Sequence, residues 1–433
     1  MLGGGTFVTQ NKVLPGAYIN FVSIASASAT LSDRGIATMP LELDWGIEGS
    51  VFEVTSADFQ KNSMKLFGYS YDHEKMKGLR DLFRNIHTLY AYRLNGGGDK
   101  ASNAYAVAKY AGIRGNSLKI VIQKNVDDDS MFEVKTVIDT AVVDVQTVSS
   151  ASELVANDFV TWTGADLEVT AGVPLEGGTN TLQDGLDHQN YLDKIESYSF
   201  NTMGVDTADD IIKDLYASFA KRMRDEVGAK FQIVLYNKAA DYEGVINVKN
   251  KTTDSGWGES SLVYWVTGIA AGCAINKSNL NRIYDGEFAV DVDYTQTQLV
   301  KAIQSGEFTL HKVGSDVRVL EDVNSLVTTT DTKGDIFKDN QTIRVIDQIA
   351  NDIAVLFNTK YLGVVPNDAA GRVSLWADIV KHHEQMQDIR AIENFSDKDV
   401  TVSQGDSKKS VVVSDAVTVV NAMAKLYMTT IVG

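Results

Sequence analysis

Residues 230–236 read Lys-Phe-Gln-Ile-Val-Leu-Tyr, and this run decides the fold class. Its last four residues, 233–236, are a continuous apolar run that includes Ile and Val, which is typical of a strand buried on both faces of a sheet. The preceding segment, 207–226, predicts a helix that covers this strand, because its apolar residues recur at helical spacing. The apolar stripe consists of Ile211, Ile212, Leu215, Phe219 and Met223. A helix laid on a buried strand is the unit of an α/β domain.

The α/β pattern extends on both sides of this unit. Upstream, strand-like runs such as 50–54 alternate with a helical stretch over 74–87, and a further strand is predicted at 197–202. Downstream, helices are predicted over 260–275 and 295–303. We expect a three-layered domain.

Two features refine the downstream half of this domain. Gly268 and Gly272 give the helix over 260–275 small residues that permit close packing against a neighbour. A hairpin is predicted from the runs 308–312 and 317–320, which flank a Gly-Ser-Asp turn.

The section between residues 95 and 187 has a different character. Strands such as 118–122 and 131–134 are separated by Asp, Ser, Thr and Gly, and no long helical pattern follows Ala111. This section predicts an all-β unit inserted into the α/β domain.

The C-terminal part predicts an α+β domain. It follows a polar stretch at 328–334, the best candidate for a linker. Helices are predicted over 337–357 and 373–387, and strands at 400–402 and 411–413.

These patterns divide the chain into six segments. They are an N-terminal arm (1–24), a discontinuous α/β core domain (25–94 and 188–327), the inserted β domain (95–187), the linker (328–334), the C-terminal domain (335–422) and a C-terminal arm (423–433).

Composition excludes several classes of function. The formal net charge of −17 argues against nucleic acid as a partner, because phosphate binding needs a basic face. The single Cys273 lies in an apolar stretch and is predicted to be a buried, inert thiol. The N-terminus has no signal-peptide pattern, and no run reaches the ~20 apolar residues of a membrane span. We expect a protein made in the cytoplasm and not inserted into a membrane.

The motifs that normally carry chemistry are absent from the sequence. Residues 96–102 lack the Gly-Lys-Ser/Thr ending of a phosphate loop, and no histidine has zinc-ligand spacing. The acidic run 127–129 lacks the Gly and Glu of a calcium loop. No serine lies in a nucleophile elbow. We therefore predict no catalytic residue, cofactor or metal.

The two ends of the chain carry short apolar runs that predict strands. The first is Phe7, Val8, Thr9 and Gln10, before Pro15-Gly16, and the second is Leu426, Tyr427, Met428, Thr429, Ile431 and Val432. A terminal strand without a return partner pairs either with the sheet of another copy or with the edge of its own sheet.

Several strings along the chain resemble the tail sheath proteins of contractile-tailed phages and phage-tail-like bacteriocins of Gram-positive hosts. They are QNKVLPGAYINF (10–21), RGIATMPLELDWG (34–46), FGY (67–69), AKYAGIRGN (108–116), KYLGVVPN (360–367) and MAKLYM (423–428). The resemblance spans nearly the whole chain in a consistent order. It implies the subtilisin-like α/β sheath fold with an inserted β domain.

The resemblance also implies a structural role without enzymatic activity. Sheath subunits of this family assemble as stacked hexameric rings around a tail tube, between baseplate and tail terminator, and terminal arms from two subunits pair with the C-terminal domain of a third. The implied location is a virion tail or bacteriocin particle. The alternative is an α/β enzyme or ligand-binding protein with a β insertion.

Five further residues have expected roles in such an assembly. Pro15, Gly16 and Gly334 are candidate hinges. Lys381 and its neighbour His382 are candidates to face the tube, although a solvated helix face is the simpler interpretation of this pair.

Overall fold

The computed structural model describes residues 31–432, which form the following strands and helices. The strands are β1 (Ile36–Leu41), β2 (Phe52–Thr55), β3 (Thr88–Arg93), β4 (Ala106–Ala108), β5 (Leu118–Lys124), β6 (Phe132–Ile138), β7 (Ala141–Val148), β8 (Val160–Trp162), β9 (Thr170–Pro174), β10 (Thr202–Val205), β11 (Gln232–Tyr236), β12 (Val245–Val248), β13 (Glu307–Phe308), β14 (Leu310–Val313), β15 (Asp316–Val319), β16 (Ile392–Glu393), β17 (Val400–Gln404), β18 (Val411–Asp415) and β19 (Thr418–Val419). The helices are α1 (Ser56–Phe67), α2 (Lys77–Phe83), α3 (Gly185–Ile195), α4 (Asp210–Arg222), α5 (Leu262–Gly272), α6 (Gln296–Gln304), α7 (Asn340–Leu356) and α8 (Ala369–Asp388).

A seven-stranded sheet forms the centre of the α/β part, with the strand order β13-β12-β11-β10-β1-β3-β2. Neighbouring strands are parallel except for β2, which runs antiparallel to β3 at one edge. The order reverses between β1 and β10. A sheet of this kind is doubly wound, with helices on both faces.

Strand β11 is buried on both faces, as the run 230–236 predicts. Val234 lies in the hydrophobic core on one face of the sheet, and Ile233 lies in the core on the other. Helices α1, α2 and α5 cover the first face, and α3 and α4 cover the second. The predicted three-layered architecture is therefore confirmed.

The prediction for the covering helix α4 is wrong in one respect. Ile211, taken as part of the apolar stripe, is 78% exposed. The buried face instead centres on Tyr216, Phe219 and Ala220, because Asp209 caps the helix and leaves Ile211 in its solvated first turn. The strand expected at 197–202 begins only at Thr202, as β10.

Close packing of α5 is confirmed by the two glycines. A Cβ atom on Gly268 would lie 2.7 Å from the Leu82 carbonyl oxygen, and one on Gly272 would lie 1.8 Å from that of Asn85. Both distances are far below van der Waals contact. Only hydrogen at these positions lets α5 rest directly on α2 and the residues that follow it.

The inserted section is a β unit, as predicted. Strands β7-β6-β5-β9 form an antiparallel sheet, and β4 pairs with β8. The core of this unit includes Trp45 from the preceding segment, whose ring lies 5.3 Å from that of Tyr110 and 6.2 Å from that of Phe159.

The described residues divide into two compact units. One comprises 31–32 and 349–418, and the other comprises 33–348 and 419–432. The expected linker, 328–334, lies within the second unit, where the Thr328 N–H donates to Asp241 at 2.8 Å and Lys333 pairs with Glu243. The six segment boundaries remain a prediction.

In the smaller unit, helix α8 packs against a hairpin formed by β17 and β18. Its core contains Leu356, Leu375, Ile379, Val380 and Val400.

Replacing Gly268 by alanine tests the close approach of α2 and α5. We expect Gly268→Ala to lower the free energy of unfolding by about 1–3 kcal/mol through overpacking, measured by urea denaturation. Gly185→Ala is the matched control, because its added methyl group meets nothing within 4 Å. Equal stability of the two variants would contradict the packing account.

Candidate assembly surfaces

The C-terminal tail, residues 420–432, is a largely apolar segment that forms neither helix nor strand in the described chain. Leu426 is 86% exposed, Tyr427 89% and Ile431 91%. Contiguous apolar surface of this kind marks an interaction site. The strand predicted here is not formed within the single chain.

The base of the tail is fixed, in contrast to its end. The Gln341 side chain donates from Nε2 to the Val420 carbonyl oxygen at 3.0 Å and accepts from the Ala422 N–H at 3.0 Å. Asn421 Nδ2 donates to Thr342 Oγ1 at 3.1 Å. The tail therefore leaves its unit from a defined point at the start of α7.

The β17–β18 hairpin is a second surface with unmet pairing capacity. Within the described residues these two strands pair only with each other. Val412 and Val413 are exposed on β18. A two-stranded sheet with free edges is a template for added strands.

Three contacts hold this hairpin on α8 and the turn before it. His383 Nε2 lies 2.7 Å from an Asp415 carboxylate oxygen at the end of β18. Trp376 Nε1 donates to the Val400 carbonyl oxygen at 3.0 Å, and Asn367 Nδ2 donates to that of Ser410 at 2.8 Å. Both ends of the hairpin are thus anchored while its edges stay open.

The structure corrects the prediction for His382. Its side chain is 0% exposed, with Nε2 3.0 Å from an Asp352 carboxylate oxygen and Nδ1 3.2 Å from His383 Nδ1. A buried side chain can neither face a tube nor lie on a solvated face. Both histidines turn inward because carboxylates on α7 and β18 offer them partners, and Lys381 alone of the predicted pair is exposed.

The other predicted assembly residues lie in different parts of the chain. Phe7, Val8, Thr9 and Gln10, with the hinge candidates Pro15 and Gly16, lie outside the described residues. Gly334 is exposed and has an ordinary φ of −78° at the start of a short 3₁₀ turn.

A crevice lies at the carboxyl ends of β1 and β10, where doubly wound sheets bind ligands. It is a cavity of about 280 Å³ whose lining includes Glu42, Asp44, Asp206 and Trp257. The Asp206 carboxylate accepts from the hydroxyls of Ser260 at 2.6 Å and Ser261 at 3.1 Å, at the N-terminus of α5. Burial raises the pKa of Asp206. The position that would attract an anionic ligand is thus taken by the protein's own carboxylate.

Three further findings on the described residues concern a reactive thiol, a metal site and a membrane span. Cys273 is buried, as predicted, and burial raises the pKa of its thiol. Residues 31–432 contain no group of three or more His, Cys, Asp or Glu side chains arranged to hold a metal ion. Among the same residues, no helix has both the length and the apolar character needed to cross a bilayer.

Four family models match consecutive parts of the chain. They describe the tail sheath protein Gp18 domain III N-terminal region (residues 34–94), the phage tail sheath β-sandwich domain (96–180), the phage tail sheath central domain (183–325) and the phage tail sheath C-terminal domain (332–433).

Similar proteins cover nearly the whole chain. The chain is 33% identical to the phage-like element PBSX protein XkdK of Bacillus subtilis, over 98% of this chain and 99% of that protein. The solved sheath tail protein of Desulfitobacterium hafniense is 36% identical with a TM-score of 0.83, covering 95% of this chain and 99% of that one. The contracted helical sheath of the anti-feeding prophage shares the fold, with a TM-score of 0.58 at 12% identity, and covers 96% of this chain and 99% of that one.

Replacing His383 by alanine tests the anchoring of the hairpin. We expect faster amide hydrogen exchange in residues 400–415, because the Asp415 carboxylate loses its partner. The free energy of unfolding should fall by about 1–3 kcal/mol. Lys381→Ala, on the exposed side of the same helix, is the control and should change neither quantity. Unaltered exchange in the His383 variant would show that the hairpin is held by other contacts.

Proposed function

Because the chain belongs to the phage tail sheath protein family, we propose that copies of it polymerise as stacked hexameric rings around a tail tube. Contraction of this lattice drives the tube through the envelope of a target cell. The polymer is held together by strands exchanged between subunits.

The observation that carries this proposal is that one chain has both an exposed apolar tail and a hairpin with unpaired edges. In an extended strand, alternate residues point to opposite sides, so Leu426 and Met428 share one side and Tyr427 and Ile431 the other. Added to an edge of the β17–β18 hairpin of another copy, the tail completes its backbone hydrogen bonds and buries one set of these side chains.

The N-terminal residues Phe7, Val8, Thr9 and Gln10 supply the second exchanged strand in this proposal. Pro15, Gly16 and Gly334 absorb the changes in backbone dihedral angles when subunits shift as rigid bodies. Lys381 is the remaining candidate for contact with the tube protein. Baseplate and tail terminator proteins bound the polymer at its two ends.

Contraction in this scheme needs no chemical step. The extended lattice is metastable, and its conversion to a lattice that buries more surface between subunits releases the free energy. The carboxylate at the N-terminus of α5 supports a structural role, since it disfavours phosphate-bearing substrates where α/β enzymes hold them. The particle is either a phage tail or a bacteriocin, assembled in the host cytoplasm.

Deleting residues 423–433 tests the tail as an exchanged strand. We expect folded subunits that stay small in size-exclusion chromatography and form no tubes in negative-stain electron microscopy. Met428→Pro should reproduce the defect by removing one backbone N–H, whereas Met428→Ser should assemble with reduced yield. Tubes of normal dimensions from the deletion variant would refute strand exchange by the tail.

Deleting the first ~12 residues, a strand and its turn, tests the N-terminal arm in the same way. We expect soluble, folded subunits that do not form sheaths. Circular dichroism of the unassembled variant is the control for folding. Normal tubular polymers would remove this arm from the assembly scheme.

A further inference from the structure

The contact between Gln341 and the tail has the hydrogen-bond pattern of a parallel β-ladder. In such a ladder, one residue bonds the C=O and the N–H that flank a residue of the next strand. The Gln341 amide does this around Asn421, since its Nε2 donates to the Val420 carbonyl oxygen and its Oε1 accepts from the Ala422 N–H, each at 3.0 Å. One side chain thus replaces a strand residue.

Thr342 completes the contact from the adjacent position on α7. Its hydroxyl accepts from Asn421 Nδ2 at 3.1 Å and lies 3.3 Å from Asn421 Oδ1. Gln341 and Thr342 are each only 2% exposed. The three residues from Val420 to Ala422 are therefore held by two buried polar side chains.

The first turn of α7, which carries Gln341 and Thr342, is hydrogen-bonded to Asp322. The Asn340 N–H donates to the Asp322 carbonyl oxygen at 2.8 Å, and Arg344 Nη2 donates to the Asp322 carboxylate at 2.7 Å. These bonds fix the first turn of α7 on both sides of Gln341. The next tail residue after the contact, Met423, is fully exposed.

We propose that Gln341 and Thr342 form a clamp that sets the point and direction in which the tail leaves the subunit, so that it reaches the neighbouring copy in one register. This inference rests on the proposed exchange of the tail between subunits. A register shift of one residue would turn every tail side chain to the opposite face of the acceptor sheet. Fixing residues 420–422 before assembly also reduces the conformational entropy lost when the tail pairs.

The chemistry of the clamp requires an amide at position 341. A carboxylate there could still accept from the Ala422 N–H, but its second oxygen would face the Val420 carbonyl oxygen, and two acceptors repel each other. Gln341→Glu therefore removes the hydrogen bond to the Val420 carbonyl oxygen with almost no change in the shape of the side chain.

The experiment compares Gln341→Glu and Thr342→Val with Gln304→Glu, which makes the same chemical change at the end of α6. Amide hydrogen exchange of the unassembled full chain measures the freedom of residues 420–432, and the critical concentration for tube formation measures assembly. We expect faster exchange confined to 420–422 and a critical concentration raised about tenfold in both clamp variants. The thermal midpoint should stay unchanged in Thr342→Val, which introduces no buried charge. Gln304→Glu should match the wild type.

Failure of the clamp and failure of strand exchange give different results. If the 423–433 deletion abolishes tubes while both clamp variants polymerise at the wild-type concentration, the clamp hypothesis is refuted. The exchange of the tail between subunits is then still supported. Unchanged exchange at 420–422 in both variants likewise overturns the clamp. If the deletion variant forms normal tubes, the exchange itself fails, and the clamp's role in it fails with it.

Discussion

The buried carboxylate of Asp322 joins three distant segments of the larger unit. It is 1% exposed and accepts from Arg344 Nη2 at 2.7 Å, Asn340 Nδ2 at 3.0 Å and the Asn279 N–H at 2.8 Å. Burial acts to raise its pKa, but the Arg344 guanidinium and the N–H donors outweigh burial and hold the pKa below its ordinary value. Removing either charge would leave the other buried without compensation, which is strongly destabilising.

This ion pair joins segments that are distant in the sequence. Asn279 follows α5, Asp322 follows β15, and Asn340 and Arg344 belong to the first two turns of α7. The start of α7 is thereby fixed to the α/β core. Because the same turn carries Gln341 and Thr342, the position of tail residues 420–422 depends on this internal charge pair.

The parts of the fold that the sequence predicts well are those determined by local pattern. The run 230–236 predicts a strand buried on both faces, and the structure distributes Ile233 and Val234 between two cores. Gly268 predicts close helix packing because a helical residue without a side chain permits a close approach whatever its partner is. The strings that resemble tail sheath proteins predict the sheath fold because they occur in a consistent order along nearly the whole chain.

The features that the sequence does not predict arise from tertiary partners. His382 and His383 have the composition of a solvated helix face, but Asp352 and Asp415, 30 and 32 residues away, bring them into the interior. Gln341 and Val420 are 79 residues apart, and nothing in either local pattern indicates that they meet. Ile211 has helical spacing, yet a cap at Asp209 places it in solvent. Long-range polar pairing leaves no periodic signal.

The proposed strand exchange through the open hairpin would give a polymer of this chain a direction and two unequal ends. If every tail enters the hairpin of another copy, each subunit is both a donor and an acceptor, and each contact joins unlike surfaces, as in any head-to-tail filament. At one end of the filament the last layer then holds acceptors that no tail fills, and at the other end it holds tails without acceptors. In that scheme, proteins that cap the two ends would be of opposite kind, one offering a strand and the other offering a sheet edge.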